Sequence, residues 1–222
     1  GAATFSAAQN LTNELEKYTE AIFVGEPTAE NVNFWGDIKT EVLPLSKLNV
    51  NLSWLWWQNM DPRDKRCWTA PNLAAEMSFD NYKAGYDSAT NIILNFKEEN
   101  RIEETIKGLV INGKMEEAIS VTKKYLEDPL HRYCKSELEE KINDIAYSFL
   151  MNNKLDEASR FFYMNVQCFP HSANAYDSYA ESLYYLNKKE EAAKYYEMAV
   201  SKDPYGPIGK NSKEKLAMIR GK

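Results

Sequence analysis

The sequence predicts an α/β segment followed by an all-α stack of helical hairpins, on three observations. The rhythm of apolar residues changes near Phe96, a motif recurs after 34 residues in the second half, and the first half alternates turn residues with short β-branched and aromatic runs. Length and composition agree with this division. The 222 residues can hold one large or two modest domains, and 44% hydrophobic with 13% aromatic residues is ample for packed cores. A net charge of −6 without any basic block disfavours a nucleic-acid partner. The longest apolar run falls far short of a membrane span. Gly1-Ala2-Ala3 lacks the charged and apolar regions of a secretory leader, and the compartment stays open. Cys67, Cys134 and Cys168 form no CxxC pair and only His131 and His171 could join them, so the thiols are read as ordinary and no metal or other cofactor is expected.

The repeat is the most informative feature. Lys154-Leu155-Asp156-Glu157-Ala158 and Lys188-Lys189-Glu190-Glu191-Ala192 open two equivalent helices. Ala158 and Ala192 are 34 positions apart, as are Pro170 and Pro204. Small residues (Ala146, Ala180) precede each alanine by twelve positions, and aromatics (Phe162, Tyr196) follow by four. Small side chains let antiparallel helices approach closely, aromatics fill the gap to the next hairpin, and proline stops the second helix. Lys114-Met115-Glu116-Glu117-Ala118 is an earlier copy, 40 residues upstream, so an insertion is needed between His131 and Ser136. The pattern resembles the tetratricopeptide repeat (TPR), over about 99–129, 137–170 and 171–204, with Asn211–Arg220 as a solvating cap helix. The resemblance implies a protein-interaction module over 97–222.

In the register of that repeat, the first helix of each hairpin lines the concave face. Glu140, Asn143, Asp144 and Tyr147 come from one repeat, and Asn174, Asp177, Glu181 and Tyr184 from the next. TPR proteins that grip a C-terminal carboxylate carry lysine, arginine and paired asparagines there. This surface is acidic instead, so a basic or neutral protein segment is the expected partner.

The first half begins with a helical stripe, Ala7, Ala8, Leu11, Leu15 and Tyr18. Ala21-Ile22-Phe23-Val24 reads as a strand buried on both faces, closed by Gly25-Glu26-Pro27-Thr28. Glu41–Leu45 and Leu48–Trp57 read as a hairpin around Ser46-Lys47, with Pro44 on an edge strand and Val50, Leu52, Trp54 and Trp56 on one face. The tryptophans are read as core, with Trp35 and Trp57 the ones to check for exposure. A polar loop, Asp61–Arg66, leads to a short helix ending near Gly85 and a further one from Asp87 to about Phe96.

Two stretches of this half carry a second resemblance. Thr4-Phe5-Ser6-Ala7-Ala8 with Gly25-Glu26-Pro27-Thr28, then Asp61-Pro62-Arg63-Asp64, Trp68, Ala70-Pro71, Tyr82, Gly85 and Asp87, resemble the S41 or tail-specific serine peptidases. The match covers roughly 4–95 and makes 1–96 the C-terminal portion of such a domain. It implies a crotonase-like α/β core, Ser6 as nucleophile, and further strands with an oxyanion-hole glycine before Gly1. A serine opening a helix also makes chemical sense, because Ala7 N–H could stabilise an oxyanion beside the positive end of the helix dipole. The plain alternative is that Ser6 caps the helix. The lysine base of one branch of the family falls at Asn31, and no lysine stands between Lys17 and Lys39. In the tricorn-like branch a histidine from the preceding part serves, assisted by an acid, for which Asp64 or Asp61 qualifies; the alternative is a salt bridge with Arg63 or Arg66. The implied function is a serine peptidase with a TPR module, this chain being an incomplete, inactive portion. The rival is a non-catalytic TPR scaffold with a degenerate peptidase remnant. An α/β-hydrolase is excluded because no Gly-x-Ser-x-Gly elbow occurs.

Overall fold

The computed structural model describes residues 1, 3–96 and 101–221, so the segment 97–100, on which the repeat half and its loosest copy begin, lies outside the described residues. The chain divides into two compact units, Gly1–Phe96 and Lys97–Lys222.

The first unit opens with α1 (Ala7–Tyr18). The apolar stripe expected to bury this helix does not do so: Leu11 and Tyr18 are exposed, and the buried positions are Gln9 and Asn13. Polar side chains fasten the helix instead. Gln9 Nε2 donates to Asn13 Oδ1 (2.9 Å) and Thr69 Oγ1 (3.0 Å), and Asn13 Nδ2 donates to the Val32 carbonyl (2.8 Å).

β1 (Val24–Gly25) is shorter than the expected strand and pairs in parallel with β4 (Leu73–Ala74), which the sequence did not reveal. Ile22, expected to be buried, is exposed, because β4 covers one edge of the run and the described residues leave its side chain uncovered. β2 (Phe34–Val42) and β3 (Asn49–Trp57) form a separate antiparallel hairpin, in register from Phe34↔Trp57 to Val42↔Asn49. β2 therefore starts seven residues before the expected Glu41. Pro44 lies in the connecting loop, not in a strand: Leu43 N–H bonds the Leu48 carbonyl and Lys47 (φ 60°) N–H bonds the Leu43 carbonyl, which closes a wider turn. Gly36 is required by close approach, since a Cβ there would stand 2.5 Å from the Trp57 indole.

All five tryptophans are exposed, which corrects the reading of Trp54, Trp56 and Trp68 as core and answers the check set for Trp35 and Trp57. Trp35 and Trp56 pack on each other with ring centroids 4.9 Å apart, but nothing among the described residues of this unit covers the pair. α2 (Phe79–Lys83) and α3 (Ser88–Asn95) follow, the latter capped by Asp87, whose carboxylate accepts from Thr90 N–H at 3.0 Å.

The second unit is a stack of antiparallel helical hairpins: α4 (Ile102–Ile111) with α5 (Met115–Glu127), α6 (Lys135–Met151) with α7 (Leu155–Cys168), and α8 (Ala173–Tyr185) with α9 (Lys189–Lys202). α10 (Pro207–Ile219) closes it. The turn inside each hairpin carries one left-handed residue, Gly113, Asn153 and Asn187, types that tolerate positive φ. The small residues sit where the repeat placed them: Ala118, Ala146, Ala158, Ala180 and Ala192 have no accessible surface. Phe161, Phe162, Ile142 and Met164 fill the main core, with Tyr147 edge-on to Phe162 at 4.9 Å. The longer spacing after the first copy is taken up in two places: the connection before α6, which holds a 3₁₀ turn (Pro129–His131) capped by Asp128, and α6 itself, 17 residues long against 13 in α8.

Candidate functional site

Two places carry the residues singled out by the sequence. At the first, Ser6 precedes α1 with φ 56° and ψ −123°. A non-glycine residue in that conformation costs on the order of 1–3 kcal/mol and persists only where its surroundings enforce it. The loop after β1 supplies the restraint: Ala29 N–H bonds the Thr4 carbonyl at 2.9 Å, and Ser6 N–H donates to the Glu30 carboxylate. The Ser6 carbonyl already accepts the first helical bond, from Asn10 N–H, at 3.0 Å. Its hydroxyl makes no capping bond, so the plain capping role is not what places Ser6 here. Asn31 is exposed in the same loop.

Asp64 and Asp61 are committed to arginines. Arg66 Nη2 donates to Asp64 at 2.8 Å while its Nη1 donates to Glu16 of α1 at 2.7 Å, tying the loop to the helix. Hydrogen bonding from Arg66 holds the Asp64 carboxyl below the usual carboxylate range, and the Arg63 side chain does the same for Asp61. Both stay ionised near neutrality. Each is the salt bridge that the sequence offered as the alternative to a catalytic acid.

The second place is the face formed by α6 and α8, the first helices of successive hairpins. Tyr147 donates to Glu181 Oε2 at 2.9 Å and lies 3.3 Å from Ser178 Oγ. Burial pushes the Tyr147 phenol up, so it stays a donor. Glu140 and Asp144 are exposed, Asn143 and Asn174 are half-buried, and Tyr184 is exposed. The Asn143 Oδ1 is enclosed without a partner among the described residues.

Asp177 does not belong to this open face. It is only 9% exposed, accepts from Asn211 Nδ2 at 3.0 Å and from the Ser212 hydroxyl, and so fastens α10 to α8. Burial pushes its carboxyl up, against the lowering effect of those two donors. Ser178, Asn211 and Ser212 were not singled out by the sequence. Tyr147 with Glu181, and Asp177 with Asn211, are each separated by 34 residues, so the repeat spacing finds both pairs, the second when it is run one step further into α10. Among the described residues no three His, Cys, Asp or Glu side chains converge as a metal site, and no helix is long and apolar enough to cross a membrane.

The hairpin geometry and its spacing define a repeat module of the TPR type. Solved structures that match part of the chain include a point mutant of MamA (13% identity, TM-score 0.39, over 54% of this chain and 81% of that one). Another is the first TPR of Spaghetti (RPAP3) bound to the HSP90 peptide SRMEEVD (21%, 0.35, over 54% and 90%). A third is the second TPR domain of human RPAP3 in complex with the HSP70 peptide SGPTIEEVD (17%, 0.35, over 55% and 93%). No family model and no curated protein matches the chain.

Proposed function

We propose that this chain joins a protein-binding TPR-type module to the C-terminal portion of an S41-type serine peptidase, with Ser6 as the nucleophile. The observation that carries the peptidase reading is the strained backbone of Ser6 at the mouth of α1, with its hydroxyl left out of the helix cap. A nucleophile needs its oxygen presented on a sharp turn beside free N–H groups, and this reading assigns the oxyanion to Ala7 N–H. Neither histidine belongs to this unit and Asn31 cannot serve as an amine base, so the 222 residues alone are expected to hydrolyse neither a fluorogenic peptide nor an activated ester. Joined to any polypeptide that its natural reading frame places before it, the chain should gain hydrolysis that Ser6→Ala abolishes. Absence of that gain would leave the non-catalytic scaffold as the better reading. That rival is favoured by one observation, the Glu30 carboxylate seated on Ser6 N–H.

The repeat module selects a basic or neutral protein segment, because its open face presents Glu140, Asp144 and Glu181. A Lys/Arg-rich peptide should bind in a salt-sensitive manner and weaken with Asp144→Lys. Tighter binding of a peptide ending in acidic residues would sink this assignment.

A further inference from the structure

The β2–β3 hairpin presents a strand edge that is complementary to itself. Every residue from Asp37 to Asn49 is exposed, so the outer edge of β2 meets water over most of its length. An edge of this kind offers unpaired backbone donors and acceptors to another strand, and a two-stranded ribbon is marginal by itself. Side chains on β2 alternate in chemistry as well as in direction. Lys39 and Glu41 share one face, where their charged groups lie 2.7 Å apart. Ile38 and Val42 share the other, with relative exposures of 65% and 57%, and Thr40 stands between them.

Antiparallel pairing with a second copy about a two-fold axis at Thr40 sets Lys39 opposite Glu41 of the other copy, twice by symmetry. It also sets Ile38 opposite Val42, twice, and Thr40 against Thr40. Opposite charges and apolar pairs directly across a ladder stabilise it, and like charges do the reverse. Moving the axis one residue either way puts Lys39 against Lys39 or Glu41 against Glu41. An axis at Ile38 would also match charges, but its ladder would run through Asp37, whose φ of 49° breaks the extended backbone. The Thr40 register uses Ile38–Val42 and stops short of that kink. The outer strand β3 carries no charged residue with which to fix a register.

We propose that β2 is a self-association edge: two copies of this chain pair β2 with β2 in antiparallel register about Thr40, forming a four-stranded sheet. A five-residue edge contact lies at the small end of interface sizes, so the dimer is weak and concentration-dependent.

The test is sedimentation velocity of the full chain over a wide concentration range, with charge variants. Lys39→Glu and Glu41→Lys each place two like-charged pairs across the axis, and each should weaken self-association by about tenfold or more. Mixed in equal amounts, the two variants should associate with each other as the parent chain does, because every pair across the axis is again opposite in sign. That rescue also shows that neither variant is misfolded. A chain that is monomeric up to its solubility limit would overturn the proposal, meaning that the edge is covered by another part of the chain or by a different protein. So would a dimer that both variants leave unchanged, or two variants that fail to associate when mixed.

Discussion

The two units of this chain treat their apolar residues in opposite ways. Among the described residues, the first unit buries four hydrophobic side chains (Val32, Phe34, Leu73 and Ala75), and the second buries twenty. Of 29 exposed large hydrophobics, 22 belong to the first unit, including all five tryptophans. The difference is not one of composition, since both halves are rich in aromatics. It arises from the kind of contact each fold uses. In the second unit every helix meets its core partner within one or two repeats, and small residues let the pairs close. In the first, α1 is fastened by Gln9 and Asn13 hydrogen bonds while Leu11 and Tyr18 of its apolar stripe face water. A polar fastening gives orientation with little of the stabilisation that apolar burial supplies.

The sharpest way to break this contrast is to delete one aromatic in each unit. Phe162 has no accessible surface, so Phe162→Ala should cost about 3–5 kcal/mol. Trp54 is 62% exposed, and Trp54→Ala should stay within about 0.5 kcal/mol at concentrations where the chain is monomeric. Denaturant melts followed separately by helical circular dichroism and by tryptophan fluorescence distinguish the units, because every tryptophan lies before Phe96. A comparable loss at both positions would mean that the tryptophan face is covered in solution.

A smaller effect separates the units by the sign of their pH dependence. Asp64 in the first unit has its folded pKa lowered, chiefly by the Arg66 hydrogen bond. Its contribution is present above the unfolded value near 3.8 and is lost as pH falls through the folded value. Asp177 and Glu139 in the second unit have theirs raised, chiefly by burial. Their contribution is fully present below the unfolded values and is lost as pH rises through the folded ones. Acidification from neutrality should thus lower the tryptophan-detected midpoint and, through these two groups, raise the helical one. Asp177→Asn should flatten the helical trend and Asp64→Asn the other. Midpoints that fall together, with no response to Asp177→Asn, would remove the distinction.

The local periodic features were legible in the sequence. Ala146, Ala158, Ala180 and Ala192 announced close helix contacts, and the lysine–acid–alanine runs announced helix starts, because a hairpin repeat is encoded within about 34 residues of chain. Asp87 as a cap and Gly85 at a turn were legible for the same reason: caps and turns depend on a few neighbours. At the open face, the sequence placed Glu140, Asp144 and Tyr147 on α6 but also counted Asp177, which α10 takes out of solvent. An acidic residue looks the same in sequence whether it faces water or a hydroxyl 35 residues away.

What only the tertiary structure decided lies in the first unit. The pairing of β1 with β4 joins Val24 to Leu73, across nearly fifty residues without any local signal. The alternation that marked Trp54 and Trp56 as one face of a strand was correct, but alternation states only that two residues share a face. Whether that face is core or surface depends on what packs against it. The backbone of Ser6 was likewise beyond the sequence, because a φ of 56° at a serine is imposed by the Glu30 and Ala29 contacts and not preferred by the residue itself. Repeats carry their partners with them in the chain, so their burial can be read in advance, whereas a strand, a hairpin face or a strained turn acquires its meaning only from groups that folding brings from far along the chain.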